Sequence, residues 1–120
     1  MCRMIRYKDG KSIAEIKYQH ILNISRQAEK CRNITRIVLF GSSLEERCTE
    51  SSDIDIAVFG NQTKGKYLQS KEFRDFHREV FLFDMNQDYD ILYFKDGKKY
   101  TDQIMNDIAE GIEIYRRESA

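Results

Sequence analysis

Between Ser12 and Cys31 the residues Ile13, Ile16, His20, Ile21, Ile24, Ala28 and Cys31 recur mostly three or four positions apart. That period predicts an amphipathic helix with one buried stripe, its other face charged and solvated. Thr35 to Phe40 is a short apolar, β-branched run that stops at Gly41-Ser42, which predicts a buried strand meeting a tight turn. Asp53 to Phe59 begins by alternating acid and aliphatic. Strand geometry then puts Asp53, Asp55 and Ala57 on one face and Ile54, Ile56 and Val58 on the other. Gly60-Asn61 closes this strand.

From Tyr67 to Phe83 the spacing of Leu68, Phe73, Phe76 and Val80 suits a helix, expected to run to about Glu79, while Val80 to Phe83 could also begin a strand. Tyr89 to Phe94 is rich in aromatic and aliphatic residues and stops at Asp96-Gly97, the pattern of a further strand ending in a turn. Thr101 is placed to cap a last helix carrying Ile104, Met105 and Ile108, and Gly111 to end it in the left-handed conformation. Ile112 to Tyr115 reads as a final edge strand, whose exposed edge makes self-association as a homo-oligomer plausible. No repeat, linker or low-complexity tract interrupts the series.

Length and composition narrow these elements to one domain over residues 1–120, because two cores in 120 residues would each be too small to bury enough surface. The 20 basic and 20 acidic side chains cancel, leaving no net field to drive sequence-independent nucleic-acid binding, although a local basic patch stays open. No apolar run approaches the ~20 residues that cross a bilayer, so no membrane is expected. Charges throughout Met1 to Lys17 leave no signal-peptide core, and the expected location is cytoplasmic. Cys2, Cys31 and Cys48 form no CxxC pair and have no His at ligand spacing, so they read as reduced thiols.

The candidate chemistry lies in Asp53 and Asp55. Two carboxylates two residues apart on a strand project in parallel and repel unless a cation sits between them. A hard divalent ion such as Mg²⁺ takes oxygen ligands and keeps room for phosphate oxygens, so the pair is a natural half of a phosphoryl-transfer site. Asp90, an acid inside an apolar run, is the candidate third ligand and general base; Asp88, two residues earlier, is the alternative. Gly41 and Ser42 end the preceding strand, where glycine permits close backbone approach and successive amides can bind phosphate.

Phe40-Gly41-Ser42, then nine residues, then Ser52-Asp53-Ile54-Asp55-Ile56-Ala57-Val58 resembles the signature of the DNA polymerase β-like nucleotidyltransferases, in particular their minimal branch. The resemblance implies an α/β (α+β) fold, a small mixed sheet with helices packed on one side. It also implies two Mg²⁺ ions and transfer of a nucleoside monophosphate from ATP, or another nucleoside triphosphate, to an acceptor hydroxyl. Carried over by position, Asp53, Asp55 and Asp90 are the metal and catalytic residues, and Gly41, Ser42 and Ser52 bind the nucleotide. Minimal members of this kind pair with a helical HEPN-type toxin protein as its antitoxin and can modify it, which makes such a protein the implied partner.

In one place the chain departs from that pattern. Many members carry Arg-Gly in the loop after Gly-Ser, whereas Glu45-Glu46 stands here, with Arg47 one position beyond. Two acids near a triphosphate are unfavourable unless they point outward or Arg47 compensates. The departure keeps a second reading open, a degenerate fold that acts by occupying a partner surface, and a third, a nucleotide sensor. His20 and His77 read as ordinary helix residues, and Phe73, Phe76, Phe81 and Phe83 as core.

Overall fold

The computed structural model describes residues 1–118. Its elements in chain order are β1 (Met4–Lys8), β2 (Lys11–Ala14), α1 (Tyr18–Glu29), β3 (Ile34–Phe40), β4 (Ile54–Gly60), α2 (Lys64–Gln69), α3 (Lys71–Phe83), β5 (Tyr89–Lys95), α4 (Ile104–Ala109) and β6 (Ile112–Arg116). Short 3₁₀ turns precede α1 at Glu15–Lys17 and follow β3 at Gly41–Leu44. Four strands form a mixed sheet in the order β5-β4-β3-β6, and β1 and β2 form a separate hairpin. Only the β4–β5 pair is parallel.

The two faces of the sheet follow the alternation in the sequence. Ile37, Leu39, Ile54, Ile56, Val58 and Tyr93 face one side and meet Ile21, Ile24 and Ala28 of α1 and Phe76 and Val80 of α3. Each fully buried aliphatic side chain there contributes roughly 1.5–3 kcal/mol of transfer free energy. Ser70 ends α2 and starts α3, its hydroxyl accepting from the Phe73 amide at 3.1 Å. The guanidinium of Arg117 closes α1 by donating to the carbonyls of Ala28, Glu29 and Cys31. Val38, Phe40, Ala57, Phe59 and Phe94 face the other side, which short α4 partly covers through Ile108. The long helices thus share one face, and α4 alone lies on the face that carries Asp55.

Several boundaries differ from expectation. Residues 12–14, expected to begin the first helix, instead join Lys11 in β2 and pair with β1 around an Asp9-Gly10 turn, and Ile16 is exposed. The helix expected to stop at about Glu79 continues to Phe83, because nothing after Val80 breaks it. Its last turn lies at the surface, so Phe81 and Phe83 are exposed rather than core. Gln103, not Thr101, precedes α4, and no side chain caps it. Gly111 is not left-handed; it lies where a Cβ would come 2.7 Å from Val38 Cγ1 and strike the Leu39 carbonyl. Strand β6 is an edge as expected, but Lys8 and Lys11 donate to the carbonyls of Glu113 and Gly111, both at 2.9 Å, and so blunt that edge. The three cysteines are unpaired. No helix among the described residues is long and apolar enough to cross a membrane.

Candidate functional site

Strand β3 delivers Phe40 directly opposite Asp55 of β4, and the parallel β4–β5 register sets Asp55 directly beside Asp90. Asp53 lies two residues before Asp55, just ahead of β4. Asp55 is half-buried, while Asp53 and Asp90 are exposed. Burial pushes the Asp55 carboxyl above the ordinary aspartate range, and the charges of Asp90 and Asp53 push it further. The two carboxylates that raise it are those the sequence nominates as its co-ligands. Asp88 has a different place: its carbonyl accepts from the Ile54 amide at 3.0 Å, which starts the parallel ladder.

Gly41 turns the chain away from β3 with φ of 79°, in the left-handed region that side chains disfavour. A Cβ here would also collide with the Asp55 carboxylate, standing 3.1 Å from its Cγ. Both demands select glycine. Ser42 donates to the Asp53 carbonyl at 3.5 Å, joining the turn to the acidic loop. The hydroxyl of Ser52 is engaged within the loop, accepting from the Thr49 amide at 2.9 Å. Ser43 is fully buried, and its hydroxyl has no partner among the described residues.

Glu45 pairs with Arg47 two residues on. The first of the two acids that depart from the expected loop pattern is therefore neutralised locally, and Glu45, Glu46 and Arg47 are all exposed. Such a pair adds little to stability; its consequence is electrostatic, removing one negative charge from beside Gly41. A cleft of about 500 Å³ opens next to the turn, lined by Gly41, Leu44, Glu45, Arg47, Asp107 and Glu110. Its size suits a small-molecule ligand.

The candidate donors Asp53, Asp55 and Asp90 offer carboxylate oxygen throughout, the chemistry that suits a hard divalent ion. The crowding around Asp55 is the electrostatic complement of a cation. Among the described residues no three His, Cys, Asp or Glu side chains stand close enough together to enclose a metal ion. Asp53 and Asp90 are both exposed, so core packing does not fix their side chains.

Two buried side chains behind the acids have no counterpart in the sequence-based expectations. Lys17 is 1% exposed and Gln87 5%, and both bond the chain around Ser52. Neither stands out in the sequence, because Lys17 sits in a charged segment and Gln87 in a polar loop. His20 also gains a partner, its Nε2 lying 2.8 Å from Asp84 Oδ2.

A family model described as polymerase beta, nucleotidyltransferase matches residues 22–120. No curated protein matches the chain significantly.

Proposed function

The chain belongs to the polymerase beta nucleotidyltransferase family, and from that premise we propose that it transfers a nucleoside monophosphate, AMP from ATP, to an acceptor hydroxyl in a Mg²⁺-dependent reaction. The observation that carries this reading is the register of Asp55 and Asp90 on adjacent parallel strands, with Asp53 close by and the Gly41 turn packed against Asp55.

In this reading Asp53, Asp55 and Asp90 would hold the divalent ions. Mg²⁺ bound there would neutralise triphosphate charge and acidify the acceptor hydroxyl. Gly41 and Ser42 present backbone amides and a hydroxyl to the triphosphate, with Ser52 supporting the loop between them and Asp53. Asp90, the most solvent-accessible of the strand acids, takes the proton from the acceptor hydroxyl. The acceptor oxygen then bonds to the α-phosphorus, the bond to the bridging oxygen breaks and pyrophosphate leaves. Catalysis of this type is chiefly positioning and charge neutralisation. The implied acceptor is a hydroxyl of a HEPN-type partner protein, with the chain acting as antitoxin.

Two observations favour a second reading. The three acids are not gathered into an ion-enclosing group, and Phe81, Leu82, Phe83 and Met85 form an exposed apolar run at the end of α3. A degenerate fold that acts by binding a partner accommodates both. Pyrophosphate release from Mg·ATP in the presence of the acceptor separates the two. The transferase reading expects release by the wild type and none by Asp53→Asn or Asp55→Asn. A partner-binding fold expects all three proteins to behave alike.

A further inference from the structure

Among the described residues Lys17 is the only charged side chain that is buried. None of its partners among the described residues is a carboxylate. Its ammonium donates to the carbonyl of Glu50 at 3.1 Å, the carbonyl of Ser52 at 2.8 Å and Oε1 of Gln87 at 2.6 Å, which uses all three of its donors. Gln87 in turn donates through Nε2 to the carbonyls of Ser52 at 3.0 Å and Asp88 at 2.7 Å. The Asp88 carbonyl also accepts from the Ile54 amide.

These bonds cross-link three separate segments: the turn before α1, the loop that ends at Asp53 and the loop that leads to Asp90. Burying an ammonium is costly unless its donors are satisfied, and a methionine would fill similar volume without that cost. What the lysine adds is a fixed path for the chain between Glu50 and Ser52, one residue before Asp53. Lys17 also precedes the matched residues 22–120, so the link is made from outside the segment that carries the family pattern.

We infer that Lys17 and Gln87 are positioning residues, a buried clamp that holds the Asp53 loop and the start of β5 together so that Asp53, Asp55 and Asp90 can share a cation. The inference rests on reading those acids as a metal site. Groups that hydrogen-bond a metal ligand directly change metal affinity by about 10–100-fold when removed; Lys17 and Gln87 act through the carbonyls of Ser52 and Asp88 next to the acids, so the lower end of that range is expected.

The test combines amide hydrogen exchange with Mn²⁺ binding measured by electron paramagnetic resonance, on the full chain. Two variants are compared with wild type: Lys17→Met, which removes the ammonium, and Gln87→Glu, which keeps an acceptor for Lys17 but loses the Nε2 donor. The clamp predicts lost protection at the Ser52 and Ile54 amides in both variants, with the amides of Leu39 and Val58 unchanged. Mn²⁺ affinity should fall about tenfold or more. Wild-type protection at Ser52 and Ile54 in Gln87→Glu, or an even loss across the whole sheet in both variants, would overturn the clamp. Should wild type itself bind no Mn²⁺, the metal-site reading falls, and the exchange comparison still decides whether the clamp exists.

Discussion

Asp55 and Asp90 are direct register partners across the parallel β4–β5 pair, one half-buried and the other exposed on the same face of the sheet. Neighbouring carboxylates in that position raise the free energy of the cation-free protein, since the sheet holds their charges together and burial denies Asp55 full hydration.

Asp55→Asn is therefore expected to stabilise the protein in the absence of divalent ions while removing the proposed transferase activity. The folded-state pKa of Asp55 is raised, so the carboxylate's unfavourable contribution is absent below the ordinary aspartate range and is fully developed once the pH exceeds the raised value. Relief of up to about 1 kcal/mol is expected at neutral pH, after allowance for solvent screening of a half-exposed group. Thermal unfolding with a chelator present measures it; a lowered Tm would mean that Asp55 is held by favourable partners instead.

Gly41→Ala should act in the opposite direction. Its backbone is left-handed, and the added methyl meets the Asp55 carboxylate, so a loss of about 1–3 kcal/mol is expected. Urea unfolding reads the stability, and loss of nucleotide binding should accompany it. A fully stable variant would show that the turn relaxes without disturbing Asp55.

The pH dependence of stability should carry the mark of His77. Burial among Phe73, Phe76 and Tyr67 pushes its pKa down to about 4, so between the ordinary histidine value and 4 the unfolded chain binds a proton that the folded chain refuses. Stability falls as the pH drops through that window. The expected loss is on the order of 1–2 kcal/mol, discounted because the ring is partly exposed. Denaturant midpoints at pH 7 and near pH 4.5 should converge more closely in His77→Leu than in wild type; equal pH dependence in both would contradict the assignment.

Tyr67 is 1% exposed and stacks on Tyr93 at a centroid distance of 4.0 Å, yet its hydroxyl has no hydrogen-bond partner among the described residues. An unpaired buried hydroxyl costs free energy while the ring earns the packing, so Tyr67→Phe should be neutral or stabilise by up to about 1 kcal/mol. Chemical denaturation settles it, with marked destabilisation the contrary result.

The Gly41 turn and the Asp53–Asp55 alternation were legible because each is local: a β-branched run ends at Gly-Ser, and a two-residue period fixes which side chains share a face. Asp90 was legible as an acid out of place in an apolar run, but its register with Asp55 is a long-range property that only the parallel pairing supplies. The β1–β2 hairpin was missed although Asp9-Gly10 is a hairpin signal, because Ile13 and Ile16 extend the helical period of α1 backwards. Lys17 was invisible for a different reason. A lysine in a charged segment is nearly always solvated, and its burial depends on carbonyls at Glu50 and Ser52 and on Gln87 far along the chain.

The most direct test of the transferase reading is label transfer from α-phosphate-labelled ATP with Mg²⁺, in lysate of the source cells, comparing wild type with Asp53→Asn. Label on a discrete protein or RNA species with wild type alone is the predicted result, and it identifies the acceptor. Absence of labelling by either protein, together with no Mg·ATP binding by wild type, would contradict the transferase account and leave the partner-binding fold in its place.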